Sequence, residues 1–69
     1  MKIKVNGEEK LLDISIKKIR LSYALDLLGY KPNTIVVELN NTIINFEYWD
    51  DKNVEDGDKI EIVSIVGGG

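Results

Sequence analysis

The residues best placed to take part in chemistry are three glycines at the end of this 69-residue sequence, Gly67, Gly68 and Gly69. Glycine has no Cβ atom, so a glycine segment can enter a narrow channel and approach another protein's active site closely. The carboxylate of Gly69 is a poor electrophile. An enzyme that adenylated it would create an anhydride open to attack by sulfur or amine nucleophiles. We therefore expect residues 67–69 to form a flexible tail, with Gly69 as the covalent site.

The composition removes most side-chain chemistry. The chain has no Cys and no His, which excludes thiolate nucleophiles, Ser-His-Asp arrangements and zinc sites built from Cys and His. Twelve acidic against nine basic residues give a net charge of −3, which disfavours binding to nucleic acid and to anionic membranes. No apolar run approaches the ~20 residues of a membrane span. We expect a single-domain carrier or binding module and not an enzyme.

The opening residues predict a β-hairpin. Residues 1–5 alternate apolar and polar side chains, as in a half-buried strand, and residues 8–14 return as a less regular second strand. Between them, Asn6-Gly7 is typical of a type I′ turn, in which both positions need positive φ.

A helix is expected at residues 20–28. Leu21, Leu25 and Leu28 recur at helical spacing on one face, and Gly29 can end the helix in the left-handed conformation. Ser22 is an alternative N-cap. The basic residues just before the helix are expected to be a solvated flank.

Two further strand regions complete the predicted fold. Residues 34–39 and 42–44 form strands around an Asn40-Asn41 turn, and residues 59–66 form the last strand. The order is strand, strand, helix, strand, short strand, strand. It predicts an α+β fold of the β-grasp (ubiquitin-like) type over residues 1–66, with one mixed sheet packed on one helix. The first and last strands are the expected parallel neighbours.

Strand alternation also predicts a docking surface. If Ile60 and Ile62 face the core, Val63 and Ile65 point outward, and Val36 does the same on its own strand. Together with Val66, these residues are the predicted partner-binding patch. Aromatic residues at positions 46, 48 and 49 are expected to cover one end of the core, and Asp56-Gly57-Asp58 is expected to be a turn.

Taken together, the sequence resembles the ThiS family, the small sulfur carriers of thiamine biosynthesis. The resemblance spans essentially the whole chain. It is carried by the segments Ile3–Gly7, Leu28–Tyr30, Val36–Asn41, Glu47–Trp49, Asp56–Val63 and Val66–Gly69. Two positions depart from the family: Arg20 stands where Thr is frequent, and Asn45-Phe46 replaces a common proline.

The resemblance implies a reaction sequence at Gly69, preceded by Gly68 and the less general Gly67. A ThiF-like enzyme uses ATP and Mg²⁺ to adenylate Gly69, while the carrier itself binds no cofactor. Sulfur relayed from a persulfide then gives a thiocarboxylate, and a ThiG-like thiazole synthase takes that sulfur into the thiazole ring. A cytoplasmic location is expected.

Three alternatives remain open from the sequence. The small subunit of molybdopterin synthase has a similar fold and tail, although that family is somewhat longer. A ubiquitin-like protein modifier would be joined through Gly69 to lysine amines. A plain interaction domain would have glycines with no chemical role.

Overall fold

A computed structural model describes residues 1–13, 15 and 17–65 of the chain. The predicted strand end at Ile14, the patch residue Val66 and the tail Gly67–Gly69 lie outside these residues. In the described part there are seven strands and one α-helix, in the order β1 (Lys2–Val5), β2 (Glu8–Leu11), β3 (Lys18–Arg20), α1 (Leu21–Leu27), β4 (Ile35–Leu39), β5 (Thr42–Ile44), β6 (Asn53–Glu55) and β7 (Lys59–Ser64). Two short 3₁₀ turns lie at Pro32–Thr34 and Phe46–Tyr48.

Five of these strands form one mixed sheet in the order β2-β1-β7-β4-β5. β1 and β7 are parallel, whereas the other neighbours in this sheet are antiparallel. The parallel pairing of the first and last strands confirms the prediction. One face of the sheet packs against α1, and this arrangement is the predicted β-grasp fold.

Two asparagine-containing turns shape the sheet. Asn6 and Gly7 have φ values of 52° and 82°, and Asn40 and Asn41 have values of 51° and 72°. Positive φ at both central positions defines the type I′ turns that match the right-handed twist of a hairpin. Asparagine tolerates this conformation better than most residues, which explains its use in both turns.

The first asparagine of each turn also binds the central strand β7. Asn6 Oδ1 accepts a hydrogen bond from the Ile62 N–H at 2.6 Å, and Asn6 Nδ2 donates to the Ile62 carbonyl at 3.2 Å. At the start of β7, Asn40 Oδ1 accepts from the Lys59 N–H at 2.9 Å. Because these amides bind backbone groups in β7, they extend its pairing beyond the ends of the neighbouring strands.

The core lies between the large sheet, α1 and the second sheet. Its buried apolar residues come from nearly every element: Ile3, Val5, Leu12, Ile19, Leu21, Ala24, Leu25, Ile35, Val37, Ile44, Trp49, Val54, Ile60 and Ile62. The indole Nε1 of Trp49 donates to the Ile44 carbonyl at 2.9 Å, so the buried ring has its polar atom satisfied. Trp49 therefore covers the core as predicted.

The second sheet was not predicted. β3 pairs with β6 in an antiparallel register that places Ile19 opposite Val54, and both side chains are buried. Lys18 and Arg20 flank Ile19 and are exposed, so the segment is a strand and not only a solvated flank. Strands of three residues with one apolar side chain each are too short for their alternation to be diagnostic, and only their mutual pairing identifies them.

The helix begins differently from the prediction. Arg20 is the N-cap and α1 starts at Leu21, so Ser22 lies inside the first turn and is not the cap. The loop that follows the 46–48 turn satisfies the helix start instead. The Leu21 N–H donates to the Lys52 carbonyl and the Ser22 N–H to the Trp49 carbonyl. α1 ends at Leu27, followed by Leu28 as the C-cap and Gly29 at φ 88°.

Three smaller predictions also need correction. β2 ends at Leu11, although Leu12 continues the pairing through a hydrogen bond from its N–H to the Met1 carbonyl. β7 ends at Ser64, so Ile65 is not part of the strand, and the predicted strand end at residue 66 lies outside the described residues. Phe46 and Tyr48 are exposed and do not cover the core, because the tight 3₁₀ turn directs only Trp49 inward.

We predict that Asn6→Gly lowers the free energy of unfolding by about 1–2 kcal/mol, because it removes two hydrogen bonds to β7 while keeping the freedom to adopt positive φ. The matched control is Asn41→Gly. Asn41 also has positive φ, and its side chain makes no hydrogen bond to the described residues. Urea unfolding followed by fluorescence of the single tryptophan gives both values. Equal stability of the two variants would show that the Asn6 amide contributes nothing.

Candidate functional site

The candidate site is the end of β7, where the described chain leads into the tail. β7 lies in the middle of the sheet between β1 and β4. The pairing continues one residue past the strand, because the Ile65 N–H donates to the Thr34 carbonyl at 2.7 Å. The backbone is therefore fixed up to the residue before Val66. The proposed covalent site at Gly69 and its neighbours Gly67 and Gly68 lie beyond the described residues.

The predicted apolar patch is exposed at this end of the sheet. Ile60 and Ile62 are buried, whereas Val63 and Ile65 alternate with them and are 60% and 52% exposed. Val36 is 38% exposed and lies directly opposite Val63 in the β4–β7 register. These three residues therefore lie on the outer face of the sheet, the side away from the core. Val66 lies outside the described residues.

Sequence reasoning missed a second feature of the outer face. Glu38 on β4 lies directly opposite Glu61 on β7, one row further from the tail than the Val36–Val63 pair. Both glutamates are partly buried, and within residues 1–13, 15 and 17–65 neither takes part in an ion pair. The alternation that directs Val36 and Val63 outward applies equally to Glu38 and Glu61, and this was the signal in the sequence. Only the strand register shows that they are neighbours.

The outer face is therefore organised in rows. Lys4 on β1 lies opposite Lys59 on β7 and forms a basic row. The Glu61–Glu38 pair forms an acidic row, and the Val63–Val36 pair forms an apolar row next to Ile65. Same-face residues on one strand are about 7 Å apart, so the three rows span roughly 14 Å along β7.

Other acidic residues have structural roles. In the Asp56-Gly57-Asp58 turn, Asp56 Oδ1 accepts from the Lys2 N–H at 2.7 Å and Asp58 Oδ2 from the Glu55 N–H at 2.8 Å. The predicted turn is confirmed. Among the described residues no group of His, Cys, Asp or Glu could hold a metal ion. In that same part of the chain, no helix has the length and apolar character needed to span a membrane.

The five-stranded mixed sheet, its single packed helix and the central last strand that leads into a glycine tail define a ubiquitin-like β-grasp protein. Residues 3–69 match the family model described as "ThiS family". The chain belongs to the ThiS family of sulfur carriers in thiamine biosynthesis.

Individual relatives agree with this assignment. The crystal structure of the thiamine biosynthesis protein ThiS from Geobacter metallireducens superimposes with a TM-score of 0.84, at 30% identity over the full length of both chains. An uncharacterized protein, ycf40, from Trieres chinensis is 37% identical over 94% of this chain and 85% of its own length. A thiazole synthase from Paramagnetospirillum magneticum is 38% identical over this whole chain, which spans 20% of that longer protein.

We predict that Val63→Asp changes the free energy of unfolding by less than about 1 kcal/mol, because the side chain is exposed. Val37→Asp is the matched control in the neighbouring strand β4. Its side chain is fully buried, so a carboxylate there would cost several kcal/mol and abolish the cooperative transition. Thermal unfolding of both variants checks the assignment of the two faces. Loss of folding in Val63→Asp would contradict it.

Proposed function

We propose that Gly69 is the covalent site of this sulfur carrier and holds the sulfur as a thiocarboxylate. A ThiF-like enzyme uses ATP and Mg²⁺ to join the Gly69 carboxylate to AMP, with pyrophosphate as the leaving group. The outer sulfur of a persulfide then attacks the acyl carbon and displaces AMP, which gives an acyl disulfide. A thiol reduces that disulfide and releases the thiocarboxylate. A ThiG-like thiazole synthase takes the sulfur for the thiazole ring. In this scheme ATP and Mg²⁺ are bound by the partner and not by the carrier.

One observation carries the proposal: the central strand β7 leads directly into the glycine tail beside an exposed apolar row. Ile65 is held by a backbone hydrogen bond, so the tail starts from a fixed point on the body. Gly69 is four positions after Ile65 in the sequence. At ~3.4 Å per residue, it can reach no further than about 14 Å from Ile65. An enzyme that acts on Gly69 must therefore contact the surface around Ile65.

The patch beside the tail gives that enzyme something to recognise. Val36, Val63 and Ile65 are exposed apolar residues on one face, and such patches on small proteins mark interaction sites. In this proposal they dock the adenylating enzyme together with Val66, while Gly67 and Gly68 pass through the channel to its active site. Lack of Cβ atoms suits both glycines to that passage.

The thiazole synthase relative supports the proposed sulfur acceptor. A segment similar to this whole chain occurs within one polypeptide of that name. A carrier segment that is covalently part of a thiazole synthase would act at high effective concentration on its acceptor. We propose that this chain delivers sulfur to a thiazole synthase in the same step.

The test of the covalent site is intact mass spectrometry after incubation with ATP, Mg²⁺, a ThiF-type enzyme, a persulfide donor and a thiol reductant. We expect one terminal oxygen to be replaced by sulfur. A control with one alanine added after Gly69 should remain unmodified. The carboxyl group of Gly69 is then part of a peptide bond and is no longer a free carboxylate. An unchanged mass for the original chain, or sulfur transfer to the extended one, would contradict the proposal.

The same experiment distinguishes the alternatives. Conjugates with lysines of other proteins would indicate a protein modifier, and no covalent change with any partner would indicate a plain interaction domain.

A genetic test separates the two sulfur-transfer pathways. Rescue of a thiamine auxotroph supports thiazole formation. Failure of that rescue together with rescue of a strain lacking the small subunit of molybdopterin synthase would favour the molybdopterin alternative.

We further predict that Val63→Asp raises the KM for the carrier in ATP–pyrophosphate exchange by about tenfold or more, because a charge replaces an apolar contact at the docking surface. Leu11→Asp is the control. Leu11 is also exposed, but it lies on the edge strand β2 away from the tail. Equal KM values for the two variants would remove the apolar row from the docking surface.

A further inference from the structure

The Glu38–Glu61 pair on the outer face is an unfavourable arrangement in the isolated chain. Hydrogen bonds at Thr34–Ile65 and Asn40–Lys59 fix the alternation of the β4–β7 ladder. The same alternation makes Glu38 and Glu61 a hydrogen-bonded pair, with Cα atoms about 5.5 Å apart. Like charges directly opposite each other on one face of a sheet are destabilising.

No nearby cation neutralises this pair within the described part of the chain. Lys59 is the nearest basic residue by register, two positions before Glu61 on β7, and it forms no ion pair there. The Lys–Glu ion pairs in that part of the chain are Lys2–Glu9 and Lys10–Glu8, both on the β1–β2 hairpin.

The position of the pair makes it part of any interface at the tail. The acidic row is about 7 Å from the apolar row, whereas one side of a standard protein interface buries about 800 Å² and extends roughly 30 Å. A surface that covers Val36 and Val63 therefore also covers Glu38 and Glu61. Two adjacent carboxylates that lose water without a partner would oppose that association strongly.

We propose that the outer face binds the adenylating enzyme in one orientation, with an apolar surface on the Val36–Val63 row and an arginine of the enzyme on the Glu38–Glu61 row. This inference rests on the proposed function, because the enzyme must act on Gly69. A guanidinium group suits the two carboxylates because its planar fork presents five N–H donors. The basic row, Lys4 and Lys59, favours an acidic group on the enzyme. That group would lie about 7 Å further from the tail than the arginine.

Two rows and a tail define an orientation that an apolar patch alone does not. Apolar contact is non-directional, so Val36 and Val63 could be covered by a partner rotated in the plane of the sheet. The acidic row restricts this rotation of the partner. Only one orientation places the arginine over the acidic row while the tail enters the channel. The acidic row is therefore a determinant of specificity.

The experiment measures binding to the ThiF-type enzyme without ATP by isothermal titration calorimetry, and the KM and kcat for the carrier in pyrophosphate exchange. The variant Glu38→Gln/Glu61→Gln should weaken binding and raise KM by about tenfold or more with kcat unchanged, because charge-assisted hydrogen bonds are lost. The dependence of affinity on salt should also become shallower. The control is Glu47→Gln/Glu55→Gln, which removes the same charge from two exposed positions outside the outer face.

A second variant separates docking from folding. Glu61→Lys places a cation opposite Glu38, so we expect the Tm of the free chain to rise by about 1–5 °C while affinity for the enzyme falls. These opposite directions would not arise if the pair acted only on stability. Unchanged affinity in both variants would overturn the proposed arginine contact.

The calorimetry distinguishes failure of the docking proposal from failure of the covalent proposal at Gly69. If the original chain binds the enzyme but Gly69 is never modified, the covalent proposal fails, and the glutamate variants still decide the docking proposal. If the original chain does not bind the enzyme, the docking proposal is overturned directly.

Discussion

The structure depends on the position of β7 between β1 and β4. β7 is the last described element in the chain, yet it lies in the centre of the sheet and pairs on both sides. Its inward residues Ile60 and Ile62 belong to the core, and its backbone N–H groups donate further hydrogen bonds to Asn6 and Asn40. The same strand that completes the core therefore also fixes the point at which the tail begins.

This arrangement separates stability from recognition along one strand. Alternation assigns Ile60 and Ile62 to the core, and Glu61 and Val63 to the outer face. Changes on the outer face can alter partner binding with little loss of packing, because those side chains contribute little buried area. A mispaired strand would exchange the two faces, since a slip of one residue reverses every side chain. The asparagine contacts from both turns oppose such a slip.

Local patterns accounted for much of the fold, and long-range pairing accounted for the differences. The type I′ turns, the end of the helix at Gly29 and the exposure of Val63 follow from rules that operate over a few residues. The β3–β6 sheet depends on Ile19 pairing with Val54 across about half of the chain, which no local pattern indicates. The helix start shows the same limit, because its N–H groups are satisfied by carbonyls of Trp49 and Lys52. Likewise, the acidic row required the register between β4 and β7.

A carrier without reactive side chains places a particular demand on its surface. Under the proposed function, the adenylating enzyme and the sulfur acceptor act on the same position, Gly69. Both active sites must lie within about 14 Å of Ile65, because four residues cannot reach further. The two enzymes would therefore cover overlapping parts of the outer face and could not bind together. It follows that the carrier must dissociate between steps, so its docking surface should favour orientation over very tight binding. A small apolar row joined to a charged row meets that demand, since charge complementarity contributes more to orientation and association rate than to affinity.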